Sequence, residues 1–150
     1  MAIVIIQANK NHIKELSVLF DKYRQFYQYN KNLIKAQNYI NERIQNNEST
    51  IFICLYDKKI VGFVQLYETF DSLNLNKKLI LYDLYVLKKY RKLGIGTKLL
   101  NKTKSFAINN SFERIELSTA MDNYNAQRLY ESLDYLRDNE YYSYELEVKK

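Results

Sequence analysis

The stretch YRKLGIGTKLL, Tyr90–Leu100, holds two of the three glycines in a chain of 150 residues that contains no proline. Apolar residues follow at helical spacing, so the two glycines lie where a loop becomes the N-terminus of a helix. The preceding segment LILYDLYV, Leu79–Val86, is a strand pattern in which Asp83 is the one charged residue. The order of strand, glycine loop and helix predicts a site where backbone N–H groups and the helix dipole bind an anion.

Two well-known phosphate-binding loops do not fit the spacing of this segment. A P-loop needs a glycine five residues before Gly96, and the sequence has none there. A dinucleotide-binding fingerprint needs a third glycine at the position of Leu99. The segment RKLGIG, Arg91–Gly96, therefore predicts a different pyrophosphate cradle, in which glycines at 94 and 96 let the backbone approach the ligand closely.

The net charge of +6 is unevenly distributed along the chain. The range Lys88–Lys104 holds seven cations and no acid, whereas Glu131–Val148 holds six acids and one cation. A basic stretch is typical of a solvated helix face or a nucleic-acid-binding patch, so those interpretations stay open. Its coincidence with the glycine loop favours a ligand that carries several phosphates.

Length and composition predict one domain over residues 1–150 with a full apolar core, since 47% of the residues are hydrophobic. The single cysteine, Cys54, excludes an internal disulfide, is interpreted as a small core residue and favours a cytoplasmic location. No metal site is expected, because the lone His12 has no second ligand nearby and suits a surface or capping role. No apolar run reaches the length of a membrane span, so no membrane partner is expected.

Hydrophobic periodicity predicts an alternation of strands and helices with a run of three strands in the middle. The predicted strands are Ile3–Gln7, Thr50–Tyr56, Ile60–Tyr67, Leu79–Val86, Arg114–Thr119 and Tyr141–Val148. The predicted helices begin near Asn11, at Leu33, after the glycine loop and at Asn123. The resulting order, β-α-α-β-β-β-α-β-α-β, predicts a mixed α/β fold.

The segment DLYVLKKYRKLGIGTKLL resembles the acetyl-CoA signature of the GNAT superfamily of N-acetyltransferases, which is a strand, [QR]-x-x-G-x-[GA] and a helix. Downstream, DNYNAQRLYESLDY is similar to the family motif N-x-x-A-x-x-L-Y-E-x-x-G-[FY]. Asp134 stands where that motif has glycine, and because Asp tolerates left-handed geometry we expect the turn to form. The element order also resembles the family fold, so the resemblance implies an α/β domain with a central mixed, mostly antiparallel sheet flanked by helices.

The resemblance implies a set of residues that bind acetyl-CoA. The backbone of Leu84, Tyr85 and Val86 would run beside the pantetheine arm, while the side chains of Leu84 and Val86 belong to the core. The pyrophosphate would be bound by Arg91, Lys92, Leu93, Gly94, Ile95, Gly96 and Thr97. The second cofactor-facing helix would contribute Asn123, Ala126 and Tyr130, and Asn123 is equally suited to cap that helix.

The resemblance also implies a catalytic acid, because Tyr130 matches the family tyrosine near the thioester sulfur and a phenol there can protonate the departing thiolate. For the base, Asp83 and Glu68 are both candidates, and each is as well suited to a structural ion pair with a lysine. No Cys or Ser has a matching His, so a covalent acyl-enzyme is disfavoured. Direct transfer from acetyl-CoA to an amine in a ternary complex is the mechanism that follows.

The predicted function is an N-acetyltransferase acting on a primary amine, which is a small-molecule amine, a polyamine, or a protein lysine or N-terminus. A non-catalytic acyl-CoA sensor and a nucleic-acid-binding basic module are the alternatives, although a nucleic-acid partner is not expected. The acidic C-terminal segment together with Glu68, Asp71 and Asp83 is predicted to line an acceptor groove for cationic amines, such as polyamines, an amino sugar or a lysine side chain, or, equally, to be solvated surface. Pairing of edge strands between two copies would give a homodimer.

Overall fold

The structure is a computed structural model that describes residues 2–149. It divides into two compact units, the first ending at Ser118 and the second beginning at Thr119. The strands of the first unit are β1 (Ile3–Gln7), β2 (Thr50–Tyr56), β3 (Lys59–Asp71), β4 (Asn76–Val86) and β5 (Arg114–Glu116). Its helices are α1 (Ile13–Phe26), α2 (Leu33–Gln45) and α3 (Ile95–Asn109), and the second unit contains α4 (Tyr124–Ser132). Within residues 2–149, no helix combines the length and the apolar character needed to cross a membrane.

The five strands form one sheet in the order β1-β2-β3-β4-β5. The first four are antiparallel to their neighbours, and β5 is parallel to β4, as the predicted mixed and mostly antiparallel sheet requires. The hairpin between β2 and β3 turns at Asp57 and Lys58, whose φ angles are +46° and +70°. A two-residue turn with both φ angles positive matches the right-handed twist of the strands that it joins.

Helices cover both faces of this sheet. On one face, α1 and α2 pack against Ile51, Ile53 and Phe63, which are buried in one hydrophobic cluster with residues of both helices. On the other face, the ring of Phe52 lies 5.5 Å from the ring of Phe106 in α3. Alternate residues of β2 therefore supply two cores, as expected of a strand between two layers of helices. Cys54 is buried and free, which confirms its interpretation as a core residue.

A short 3₁₀ turn, Lys10–His12, precedes α1. Asn9, not Asn11, provides the cap, because its side chain accepts the N–H of Asn11 at 2.9 Å at the start of this turn. The Nδ1 atom of His12 in turn accepts the N–H of Asn9 at 3.0 Å. This reciprocal pair is a capping box, so the lone histidine has the expected capping role.

The predicted strand Tyr141–Val148 is wrong. Residues 133–149 form neither helix nor strand, and β5 also ends at Glu116 rather than at Thr119. The alternating apolar residues Tyr142, Tyr144, Leu146 and Val148 are each more than 80% exposed. Alternation produces a strand only where a neighbouring strand supplies hydrogen bonds and a core covers one face. This segment has neither in the described part of the second unit.

Candidate active site

The glycine loop leads into the N-terminus of a helix, as predicted. α3 begins at Ile95, and Gly94 precedes it with φ +78° in the left-handed region. The N–H of Lys98 donates to the Gly94 carbonyl at 3.1 Å, and no side chain caps the helix. The N–H groups of Ile95, Gly96 and Thr97 therefore have no acceptor within the helix. Together with the helix dipole, they form a place where an anion can bind.

The third glycine, Gly62 in β3, determines how closely α3 approaches the sheet. A Cβ atom on Gly62 would lie 3.2 Å from the Tyr85 carbonyl oxygen and 3.3 Å from side-chain atoms of Val86 and Ile95. Without that atom, the first residue of α3 packs directly over β3 and β4. Gly62 was not among the predicted site residues, although an isolated glycine within a strand is a signal of close approach by another segment.

Arg91 ties the glycine loop to β4. Its Nε atom donates to the Val86 carbonyl at 2.9 Å, and its guanidinium carbon lies 5.5 Å from the ring centroids of both Phe26 and Tyr85. The side chain that was predicted to add charge beside a pyrophosphate is therefore also a structural link between loop, strand and α1. Lys92 follows with φ +63° and is exposed.

The end of β4 has one free edge. Its last four residues, 83–86, pair with β3 on one side. On the other side, β5 pairs only with Lys78–Ile80. Leu84, Tyr85 and Val86 therefore have no strand partner on that side among residues 2–149, and their outward N–H and C=O groups can pair with an extended ligand. The side chains of Leu84, Tyr85 and Val86 are half-buried. Leu84 and Val86 are therefore more exposed than expected from the prediction that their side chains belong to the core.

A β-bulge places Asp83 on the face of the sheet that α1 covers. Gln65 lies opposite Asp83 and Leu66 opposite Leu81, so Tyr82 is the extra residue in β4. A bulge of this kind re-aims the side chains next to it. Asp83 is buried at 5% exposure, whereas the adjacent Tyr82 is 68% exposed, so the carboxylate lies just beneath the surface.

Neutral side chains surround the Asp83 carboxylate. Gln65 Nε2 donates to Asp83 Oδ2 at 2.8 Å, and the Ser49 hydroxyl donates to Gln65 Oε1 at 2.8 Å. The Tyr23 hydroxyl also donates to Asp83. Burial raises the pKa of the Asp83 carboxyl above its ordinary value, while the hydrogen bonds from Gln65 and Tyr23 act in the opposite direction. No cation pairs with Asp83 among the described residues, so the alternative of a structural ion pair with a lysine is wrong for this acid.

Four tyrosines next to this carboxylate, Tyr23, Tyr27, Tyr67 and Tyr82, are called the tyrosine cluster below. The Tyr23 and Tyr27 ring centroids are 5.2 Å apart, and those of Tyr67 and Tyr82 are 5.7 Å apart. Burial raises the pKa of the Tyr23, Tyr27 and Tyr67 hydroxyls, and the charge of Asp83 raises each of them further. These phenols therefore stay protonated at neutral pH and can donate hydrogen bonds.

The three predicted groove acids of the first unit, Glu68, Asp71 and Asp83, do not line one common groove. Glu68 is exposed, and because side chains alternate along β3 it faces away from Gln65 and Tyr67. Asp71 lies at the far end of the β3–β4 hairpin, where it pairs with Arg114 at 3.7 Å and accepts from Asn74. Of these three acids, only Asp83 is buried and lies next to the tyrosine cluster.

The second unit confirms the local geometry predicted for its motif. Asn123 Oδ1 accepts the Ala126 N–H at 3.3 Å, so the capping role that the sequence left open is observed. Asp134 has φ +68°, as expected for the residue in place of the family glycine. The Tyr130 and Tyr135 ring centroids are 5.8 Å apart. The roles of Asn123, Ala126 and Tyr130 toward a cofactor, and of Tyr130 in catalysis, stay predictions.

Comparison with known proteins places these features in one family. Residues 16–135 match the Acetyltransferase (GNAT) family. The chain is 35% identical over 144 residues to the uncharacterized N-acetyltransferase YhfO of Bacillus subtilis strain 168, a match that covers 96% of this chain and 97% of that protein. The crystal structure of a probable acetyltransferase has a TM-score of 0.92 and 34% identity, covering 98% of this chain and 99% of that one.

A third comparison shows the fold alone. The aminoglycoside N-acetyltransferase AAC(6')-Iy, solved in complex with CoA, has a TM-score of 0.82 at 18% identity, covering 97% of this chain and 95% of that one. The glycine loop, the free edge of β4 and α4 all lie within the range that the family match covers. From these matches and the α/β fold, the chain is an acyltransferase that belongs to the GNAT family of acetyltransferases.

Proposed function

We propose that this protein transfers the acetyl group of acetyl-CoA directly to a primary amine. The observation that carries the proposal is the position of the free edge of β4, Leu84–Val86. This edge lies between the buried carboxylate of Asp83 and the glycine loop, whose helix start is open to an anion. A donor bound along that edge would present its acetyl group near the carboxylate.

Acetyl-CoA, which the family uses as donor, supplies an activated acetyl thioester. Its pyrophosphate would accept hydrogen bonds from the N–H groups of Ile95, Gly96 and Thr97, with the remaining loop residues Arg91–Gly94 around it. Exposed lysines in and after the loop would add long-range attraction for the phosphates. The outward backbone groups of Leu84, Tyr85 and Val86 would pair with amides of the pantetheine arm.

Asp83 is the general base of the proposed reaction. An amine reaches the site as an ammonium, and the carboxylate would take its proton so that a neutral nitrogen attacks the acetyl carbon. A pKa raised by burial makes Asp83 a stronger base than an exposed carboxylate. Glu68 lacks this environment, because it is exposed on the opposite side of β3.

For Tyr130 we propose the complementary proton transfer, from its phenol to the departing CoA thiolate. The proposal is supported by its place in the motif that begins at Asn123 and continues through Ala126. Asn123 would act through its cap on α4, which sets the start of that helix. Asp83 keeps one proton of the ammonium. After the nitrogen has attacked and the C–S bond has broken, a second proton of that nitrogen passes to the Tyr130 phenolate, which has given its own proton to the thiolate, so the transfer balances with no covalent acyl-enzyme.

Release of the CoA thiol from acetyl-CoA, followed across a panel of amines, tests the proposed function. We expect amine-dependent thiol release and thermal stabilisation by acetyl-CoA. Stabilisation by acetyl-CoA with no thiol release for any amine would indicate the acyl-CoA sensor instead. Stabilisation by an oligonucleotide alone would indicate the nucleic-acid-binding module, which the family membership does not support.

A further inference from the structure

Asp83 is a buried carboxylate that lacks a counterion among the described residues. Its hydrogen-bond donors, Gln65 and Tyr23, are neutral, and no Lys, Arg or His of residues 2–149 forms an ion pair with it. A buried carboxylate is costly unless a positive charge compensates it. Because the carboxylate lies just beneath the surface at Tyr82, a cation from solution can provide that charge.

The rings of the tyrosine cluster also have no cation stacked over them among the described residues. Elsewhere on this side of the molecule, arginines already lie over the rings, with Arg43 4.2 Å from the centroid of Tyr39 and Arg24 5.4 Å from that of Tyr29. Arg91 similarly lies over Tyr85 and Phe26. Within the described chain, no Lys or Arg lies over a ring of the tyrosine cluster. The Asp83 carboxylate and the rings of the tyrosine cluster can therefore both stabilise a bound positive charge.

The side chains around Asp83 indicate what charge and what apolar surface the bound cation carries. Among the described residues, Asp83 is the acid whose charge acts on Tyr23, Tyr27 and Tyr67, so the site neutralises one ammonium group. Tyr27 and Tyr82, at 42% and 68% exposure, are the cluster members nearest to solvent. Their rings offer apolar surface to whatever carries the ammonium, and a methylene chain loses no hydrogen bonds when it packs there.

We propose that Asp83 and the tyrosine cluster form a binding site for a single alkylammonium ion. If the protein acts as proposed above, its acceptor then carries the reacting amine at the end of an unbranched methylene chain rather than on a sugar ring. The ammonium donates to the Asp83 carboxylate, while the rings of Tyr27, Tyr67 and Tyr82 surround the charge and the first methylene groups.

Binding of n-butylammonium and of the neutral 1-butanol, measured by ¹H–¹⁵N NMR titration without acetyl-CoA, tests the site separately from the reaction. We expect n-butylammonium to bind at least about tenfold more tightly, because a charge-assisted hydrogen bond replaces a neutral one. Asp83→Asn should remove this preference, and Tyr82→Leu should weaken n-butylammonium about threefold. Glu68→Gln removes one charge on the opposite side of β3 and should change neither value.

Equal binding of the two ligands, or a preference for n-butylammonium that survives in Asp83→Asn, would overturn the alkylammonium site. Thiol release from acetyl-CoA then identifies which proposal has failed. Turnover with glucosamine exceeding turnover with n-butylamine contradicts the inferred acceptor and leaves the acetyltransferase intact. Binding of n-butylammonium with no thiol release for any amine supports the site and contradicts the proposed function.

Discussion

The carboxamide of Gln65 and the carboxylate of Asp83 lie directly opposite each other on β3 and β4, with Gln65 Nε2 2.8 Å from Asp83 Oδ2. Gln65 is fully buried, and the Ser49 hydroxyl donates to its Oε1 atom. Because Ser49 occupies the carbonyl oxygen of this amide, its NH₂ group stays directed at Asp83. Gln65 therefore sets how strongly Asp83 binds a proton.

The pH dependence of turnover follows from this hydrogen bond. Gln65→Leu removes a donor to the charged carboxylate, so the pKa of Asp83 should rise further. The acidic limb of the kcat/KM profile should then move to higher pH. Ser49→Ala keeps Gln65 as a donor to Asp83 and removes only the hydrogen bond that orients Gln65, so the acidic limb should shift less than in Gln65→Leu. An acidic limb unchanged in Gln65→Leu would show that Asp83 is not the titrating base.

Stability should also depend on Asp83. A carboxyl whose pKa is raised on folding binds its proton more tightly in the folded state, so the folded state loses stability as pH rises above the ordinary value of 3.8. Asp83→Asn removes this titration, so its free energy of unfolding should rise relative to that of the wild type as the pH increases above 3.8. Urea unfolding at several pH values measures the difference. A variant that loses stability relative to the wild type over that range contradicts the prediction.

Removal of the Tyr130 hydroxyl separates chemistry from binding. If this phenol protonates the departing thiolate, Tyr130→Phe should lower kcat roughly 100-fold while leaving the Kd for acetyl-CoA nearly unchanged. Stopped-flow turnover and calorimetric titration with acetyl-CoA give the two quantities. An unchanged kcat would exclude the acid role, and an equal loss in both quantities would point to a binding role.

Tyr135 provides a matched control with a different expected outcome. The Tyr135 hydroxyl is buried and has no hydrogen-bond partner among the described residues. Burial also raises the pKa of this hydroxyl. Tyr135→Phe removes that group and should stabilise the protein by about 1 kcal/mol. Thermal unfolding measures the gain. A loss of stability would instead indicate a hydrogen-bond partner, such as an ordered water.

The left-handed conformation of Gly94 predicts a specific cost of substitution. Nothing lies within 4 Å of a Cβ atom built there, so the penalty for Gly94→Ala is conformational, about 1 to 2 kcal/mol at φ +78°. Gly94→Asn should lose less, since Asn tolerates this region better. Chemical unfolding and the Kd for acetyl-CoA are the measurements. Equal stability of the alanine variant and the wild type would show that the loop relaxes to another conformation.

Much of the local structure was predictable from residue patterns. The apolar stripe of α1, the three central strands, the cap at Asn123 and the left-handed turn at Asp134 all depend on neighbours within a few residues. The prediction of a terminal strand at Tyr141–Val148 was wrong, because the alternation of apolar and polar residues describes one segment and does not show whether another strand pairs with it. The single domain, the cytoplasmic location and the homodimer stay predictions.

The environment of Asp83 was less accessible to sequence analysis. Asp83 was a candidate base, and Gln65 is a polar residue within an apolar strand. Neither sequence pattern predicted that these two side chains form a hydrogen bond. Their pairing depends on the register of β3 and β4 and on the bulge at Tyr82. The hydrogen bond from Tyr23 depends in addition on how α1 packs over the sheet.

The sequence by itself determined the glycine-led start of α3, where an anion can bind, and the family of the protein. Both depend on short-range constraints, namely a left-handed glycine, the helix that follows it and motifs of fixed spacing. Only the tertiary structure decided that Asp83 is buried, which side chains orient its carboxylate and that no cation of residues 2–149 forms an ion pair with it. Those contacts join residues 16 and 18 positions apart across paired strands. Their energies depend on burial and register, which exist only once the sheet and its helices have packed.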